Sequence, residues 1–418
     1  IQHGGYQLSA YGRYLYKNDP KVPAPPGPYK PFGGYRWVFH SYPLKGSGFI
    51  QDKFETHTLV INIGARVDWF SLGPSINNSD YKKVWHEATG LSSNWSNFKY
   101  VVSPRFGISF PISVNTDIYF SYGHFNQLPE MTHFYRDPYS GSLTGNPHLD
   151  YVKTIKYEFG FKHQFNDSWA MNIKSYDKDI SNQIGTTQLR ANLGLPVALF
   201  DNKGYSRVRG LQAKIIKQFS HFYSGQFTYT LQWATGFSSS AFQDYVNSIN
   251  NFPNPIRQHR LGYDVRHQII FQGTIVDPKQ KPMRPFGLHI PSNWNISILS
   301  SFSSGRPFTP GTVDPVERQK LLNAATGPVR MDTDLKFRKH FKIAGIKTTF
   351  LAEIFNIFNQ HNVNMGSWFN NWTGKPFRYG DHISNTDKLY TWRTMYRLLD
   401  PRAFSPGRRV QLGIQINW

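Results

Sequence analysis

The chain has 418 residues, with 47 Lys and Arg against 26 Asp and Glu, for a formal net charge of +21. Charged residues make up 17% and aromatic residues 16%, which is less charge than a typical soluble domain carries and too much aromatic surface for a disordered one. Without cysteine there is no disulfide, thiolate metal site or cysteine nucleophile, and no run approaches the roughly 18 consecutive apolar residues of a membrane-crossing helix.

The sequence opens at Ile1 directly in a strand-like pattern, from which we expect a processed chain or a portion of a longer one. Period-two alternation then dominates. Across 57–70, Leu59, Ile61, Ile63, Ala65, Val67 and Trp69 share one face, and Val60, Asn62, Gly64, Arg66 and Asp68 share the other. At 151–165 the two faces are Ile155, Tyr157, Phe159, Phe161 and Phe165 against Lys156, Glu158, Gly160, Lys162 and Gln164. Phe227, Tyr229, Leu231 and Trp233 alternate with Gln226, Thr228, Thr230 and Gln232. At the end, Val410, Leu412, Ile414, Ile416 and Trp418 alternate with Gln411, Gly413, Gln415 and Asn417.

About fourteen such segments are expected, starting near 5, 46, 57, 97, 114, 151, 168, 205, 222, 263, 286, 329, 346 and 408. Several run to about ten residues or more, long for globular strands but right for tilted strands crossing a bilayer. Tight connections, near 56, 111–113, 166–167, 220–221, 277–285 and 342–345, alternate with long ones at 17–45, 71–96, 127–150, 183–204, 237–262, 304–328 and 361–407. Even strand number, charges on the polar face and alternating connection length together predict an all-β fold: an antiparallel transmembrane β-barrel. We expect residues 1–418 to form a single barrel domain.

Seven segments resemble TonB-dependent outer-membrane receptors, most closely those of the Bacteroidetes type. They are FIQDKFETHTLVINIGARVDWF (49–70), VSPRFGISFP (102–111), YGHFNQLPE (122–130), GNPHLDYVKTIKYEFGF (145–161), DVRHQI (264–269), SGRPFTP (304–310) and IFNIFNQHN (354–362). Their order matches the C-terminal part of that family's 22-stranded barrel. The resemblance implies a bacterial outer-membrane location, with loops extracellular and turns and C-terminus periplasmic. It also implies uptake of a ligand (a ferric chelate, a glycan or another nutrient) into the periplasm. The family's plug domain is not in the sequence, so engagement of the TonB complex depends on a plug supplied elsewhere. A structural or anchoring barrel within a larger outer-membrane complex and a self-closing 14-strand channel stay open as alternatives.

Candidate ligand contacts lie in the aromatic and basic long connections. Trp368, Trp372, Arg378, Tyr379, Trp392 and Arg393 lie in 361–407, and Tyr135, Arg136 and Tyr139 in 127–150. Indole and phenol faces stack on rings, and guanidinium pairs with carboxylate or phosphate; the plainer reading is loop self-packing. Trp418 resembles the terminal aromatic signal for barrel assembly. Asp332 and Asp334 share a face with Lys336 and Arg338, which reads as a salt-bridged ladder rather than an acid/base pair. The 15 His residues fall at no metal-ligand spacing, and no catalytic chemistry, resident metal or cofactor is expected. Expected partners are outer-membrane lipid and lipopolysaccharide, a surface lipoprotein or a complementing barrel chain, and no nucleic acid.

Overall fold

The computed structural model describes residues 6–11, 36–136, 143–190, 196–250, 252–277, 292–312, 314–343, 345–365, 369–376 and 403–417. Two short strands, β1 (Tyr6–Tyr11) and β2 (Arg36–Ser41), pair antiparallel in a sheet of their own. The main sheet follows. Its strands are β3 (Leu44–Glu55), β4 (Val60–Ser71), β5 (Phe98–Ser113), β6 (Thr116–Gln127), β7 (Val152–Asn166), β8 (Trp169–Arg190) and β9 (Pro196–Ser220). It continues with β10 (Tyr223–Gly236), β11 (His267–Val276), β12 (Trp294–Ser303), β13 (Arg330–Ile343), β14 (Ile346–Phe355) and β15 (Arg409–Asn417). Each pairs antiparallel with its sequence neighbours, so the sheet runs from β3 to β15 without a crossover. Of the fourteen expected segments, thirteen form this sheet. The one expected near residue 5 is β1, which pairs with β2 instead.

Tight turns join alternate strands at one edge-on end of the sheet, the turn end. They use backbone conformations suited to two-residue hairpins: His221 has φ 62° and Gly345 has φ 85°. One connection is longer than expected. β11 stops at Val276 and β12 starts at Trp294. Asp277 clamps its ends: its N–H donates to the Trp294 carbonyl (2.9 Å), and its carboxylate accepts from the Asn293 N–H (2.8 Å).

The cross-strand register aligns the apolar faces into continuous rows. Ile61, Ile108, Phe120, Phe159, Ser175, Leu211 and Leu231 are successive partners across β4 to β10. Ile296, Phe337, Ala352 and Leu412 do the same across β12 to β15. This face is bare: Leu412 and Ile414 are 69% and 70% exposed. A chain folding in water would cover such a surface. The large hydrophobic cluster lies elsewhere, at the opposite or loop end, where Phe70, Leu72, Ile76, Tyr81, Trp85, Trp95, Phe134, Tyr135 and Phe200 are all buried.

That cluster is built by the connections. Helix α1 (Ser79–Thr89) forms within 71–96 because Tyr81, Val84 and Trp85 recur at helical spacing and are all buried. Thr89 Oγ1 donates back to the Trp85 carbonyl, and Gly90, at φ 72°, ends the helix with a bond from its N–H to the His86 carbonyl. Short helices α2 (Met131–Tyr135), α3 (Gln243–Ile249) and α4 (Pro315–Lys320) stand in three other connections.

Candidate functional site

The polar face of the sheet carries an ordered charge array. On β7, Glu158 faces Lys156 at 2.6 Å and Lys174 of β8 at 3.4 Å, and accepts a hydrogen bond from the Tyr119 hydroxyl (3.2 Å). Lys162 lies 4.9 Å above the Tyr119 ring. Arg66 and Asp68 pair on β4 at 2.8 Å. Beside this basic wall, β10, β11 and β12 present uncharged groups, among them Gln226, Thr230, Gln272 and Ser297. Tyr176 crosses between the two zones, its hydroxyl donating to Gln232 (3.2 Å). It does so over Gly210, where a Cβ would lie 2.5 Å from the Tyr176 ring.

The ladder expected on β13 has a different wiring. Arg330 pairs with Asp332 at 3.3 Å, but Lys336 pairs across to Glu353 on β14, and Asp334 accepts from the Asn356 backbone N–H (2.9 Å). Lys336 and Glu353 belong to a concavity of about 690 Å³ on this face, with Gln226, Gln272, Ser297 and Asp334. Its groups can hydrogen-bond and screen charge. Among the described residues, no group of three His, Asp or Glu side chains is placed to hold a metal ion.

At the loop end the connections interlock. Trp85 Nε1–H donates to the Gly145 carbonyl (2.9 Å), and its indole meets Trp95 edge-on at 5.3 Å. Asn146 Nδ2 donates to the Phe200 carbonyl (2.8 Å). Gly145 admits no side chain, since a Cβ would fall 2.4 Å from the Arg136 nitrogen. Tyr135 is fully buried here, its hydroxyl donating to the Leu72 carbonyl (2.6 Å), so its ring packs the loop core. Arg136 beside it is half-buried, and its carbonyl accepts from the Gly145 N–H (2.8 Å).

Trp372 stands in a second cluster. It is 42% exposed and its ring rests on Gly311, where a Cβ would lie 2.4 Å from the indole. The Gly311 N–H donates to the Asn371 carbonyl (3.0 Å), and Phe308 meets Phe369 edge-on at 4.9 Å, which locks 304–328 against 369–376. Of the candidate ligand contacts, then, Tyr135 and Arg136 share one loop cluster and Trp372 sits in another. Trp368, Arg378, Tyr379, Trp392, Arg393, Tyr139 and the assembly signal Trp418 lie outside the described residues.

The TonB dependent receptor-like, beta-barrel family model matches residues 2–274. The chain belongs to this family. As a TonB-dependent receptor barrel, its apolar face is the lipid face and its polar face lines the lumen. Solved structures agree in fold. The FrpB iron transporter from Neisseria meningitidis is 14% identical, with a TM-score of 0.53 over 90% of this chain and 45% of that one. FpvA of P. aeruginosa, solved bound to heterologous pyoverdines, is 12% identical, with a TM-score of 0.55 over 92% of this chain and 40% of that one. The chain therefore spans less than half the length of these two structures. No curated protein sequence matches it.

In the receptor's loop core, the burial of His133 has a measurable consequence. His133 is 7% exposed, its Nδ1 has no hydrogen-bond partner, and its ring lies 4.5 Å from Phe200. Burial lowers its pKa below the ordinary value; Glu130 opposes that shift and Arg136 adds to it. A neutral form favoured by folding means the unfolded loop binds more protons, so stability is full above about pH 6.5 and falls as pH drops toward the lowered folded value. Hydrogen exchange of 131–136 and 143–146 should therefore quicken at pH 5.5 relative to pH 7.5 after correction for intrinsic rates. A His133→Phe variant should lose that difference.

Proposed function

We propose that the chain is the C-terminal part of the barrel of a Bacteroidetes-type, 22-stranded outer-membrane receptor that takes up a ligand by a TonB-dependent route. In this reading the loop end is extracellular and the turn end periplasmic. The family match supports it, together with a sheet whose lipid face is bare and whose described long connections pack at the end opposite the tight turns. The function is binding and gating; the lumen groups pair with one another and carry out no bond-breaking step. Ligand meets the loop clusters, with Trp372 and Arg136 as the described candidates, and then passes along the charged and amide-rich lumen wall. A plug and the TonB complex would complete the machine, and a surface lipoprotein is a further candidate partner.

A ferric chelate is the first ligand to test, because FrpB and FpvA are described as an iron transporter and a receptor holding a pyoverdine–iron complex. Radiolabelled iron uptake should fall on deleting the whole gene and stop on collapsing the proton gradient. Uptake that survives deletion for every chelate offered, with the protein present in the outer membrane of the parent strain, would remove iron as the cargo. It would leave a glycan or another nutrient as the ligand class.

A further inference from the structure

The lipid face carries scattered charges, among them Asp52, Lys217 and Lys339, and one cluster. On β8, the outward sequence from the turn end is Trp169, Met171, Ile173, Ser175, Asp177 and Asp179. On β9 the register sets Arg209 beside Asp177 and Arg207 beside Asp179. Four charges thus stand on a face that should carry none if it were wholly in hydrocarbon. Their height accounts for them. Trp169 and Asp177 are eight residues apart, about 26 Å along a strand at ~3.3 Å per residue. At a tilt near 40° this is about 20 Å across the bilayer, close to the upper edge of a ~25 Å apolar band. Trp233, paired with Arg209, and Tyr157, paired with Asp177, add the amphipathic rings typical of that edge.

The charges are not equivalent. Arg207 is fully engaged: Nε donates to Asp177 (3.0 Å) and also lies 3.5 Å from Asp179, which in turn accepts from the Tyr205 hydroxyl (2.7 Å). Arg209 has only a 3.7 Å approach to Asp177, and its side chain is 57% exposed. Next to it the surface forms a concavity of about 890 Å³ lined by Phe120, Phe159, Leu211 and Leu231 together with Ser175, Asp177, Arg209 and Trp233. Apolar side chains beside a guanidinium held only by one long ion pair fit a molecule with acyl chains and a phosphate.

We infer that this concavity is a binding site for a phosphate-bearing lipid of the loop-side leaflet, with Arg209 as the phosphate ligand, Arg207 and the two aspartates flanking it, and the apolar lining taking acyl chain. The inference rests on the barrel reading, which makes this face the lipid face. On the proposed orientation the lipid is the lipid A portion of lipopolysaccharide. Its site is specified by one arginine and one stretch of wall, not by the charge of the loops at large.

The test is native mass spectrometry of the whole receptor, released from detergent, with bisphosphorylated lipid A and with the same lipid after dephosphorylation. Wild type should retain lipid A about tenfold better than the dephosphorylated form, the scale of one charge-assisted phosphate contact. Arg209→Gln should erase the preference and Arg209→Lys should keep part of it, while both still migrate as heat-modifiable folded barrels. The wild-type comparison needs no variant, so a misfolded substitution leaves the test intact. Equal retention of the two lipids, or an unchanged preference in folded Arg209→Gln, overturns the site while leaving the barrel reading in place. Displacement of lipid A by excess inorganic phosphate would also overturn it, in favour of a free-anion site. Failure of the wild type to associate with any lipid or detergent would remove the membrane reading and the site together.

Discussion

Replacing Trp85 by Ala should free the loop end of the barrel while leaving its wall standing. Trp85 is fully buried, meets Trp95 at 5.3 Å and His148 at 5.6 Å, and bonds through Nε1 to the Gly145 carbonyl 60 residues away. Deleting a buried indole costs about 3–5 kcal/mol from lost transfer energy and the cavity left behind. The orphaned Gly145 carbonyl adds to that. The wall does not share the loss, because its stability comes from twelve neighbouring strand pairings along β3 to β15. Hydrogen exchange should therefore accelerate about 10²–10⁴-fold across 79–97 and 143–151, with β12 to β15 unchanged. A fall in the thermal transition of the whole barrel would instead mean that loop core and wall unfold as one unit. If the loop core presents the ligand site, uptake should drop with it even though the barrel is still in the membrane.

That experiment probes the part of the molecule least legible in the sequence. Alternation along a strand is local, so the two faces of 57–70 and 226–233 could be read residue by residue. The turns could be read because tight and long connections alternate. What lies across a long connection could not. The Tyr81, Val84 and Trp85 set has helical spacing, but it covers only two turns inside a segment flanked by strands, and its partner Gly145 is supplied by another connection. Tyr135 shows the same limit. An aromatic beside Arg136 reads equally as ligand contact or as packing, and only the position of the Leu72 carbonyl decides for packing. On the wall, alternation alone places Asp332, Asp334, Lys336 and Arg338 on one face, and the register agrees. Choosing Glu353 as the partner of Lys336, however, requires the register of β14. Charges on the lipid face are hidden in the sequence for a related reason. Asp177 and Arg209 are unremarkable until the pairing sets them side by side at the edge of the apolar band.

Asp264 is the residue whose loss should cost the wall most. It opens the DVRHQI segment, is fully buried, and its carboxylate accepts from Arg260 Nε (3.0 Å), an Arg266 terminal nitrogen (2.7 Å) and the Ala234 N–H (3.0 Å). Two guanidiniums and a backbone amide thus converge on one side chain where the end of β10 meets the start of β11. Alanine at 264 would leave both arginines facing each other across a vacated, desolvated pocket. Breaking a buried pair from one side costs about 3–5 kcal/mol, because the remaining charge is uncompensated. Asp264→Asn should cost less, since the amide oxygen can still accept from Ala234, but it cannot neutralise two cations. The unfolding temperature of the heat-modifiable barrel should fall in the order wild type, Asn, Ala. The triple change Asp264→Leu, Arg260→Leu and Arg266→Met separates the two sources of that loss. If uncompensated charge dominates, the apolar triple variant should recover most of the stability lost in Ala. If the hydrogen bond to Ala234 dominates, it should not. Arg266 also lies 5.3 Å over the Trp233 ring. Asp264→Ala should therefore disturb that indole as well, and a shift in its environment without loss of the barrel would connect this buried pair to the concavity where Arg209 stands.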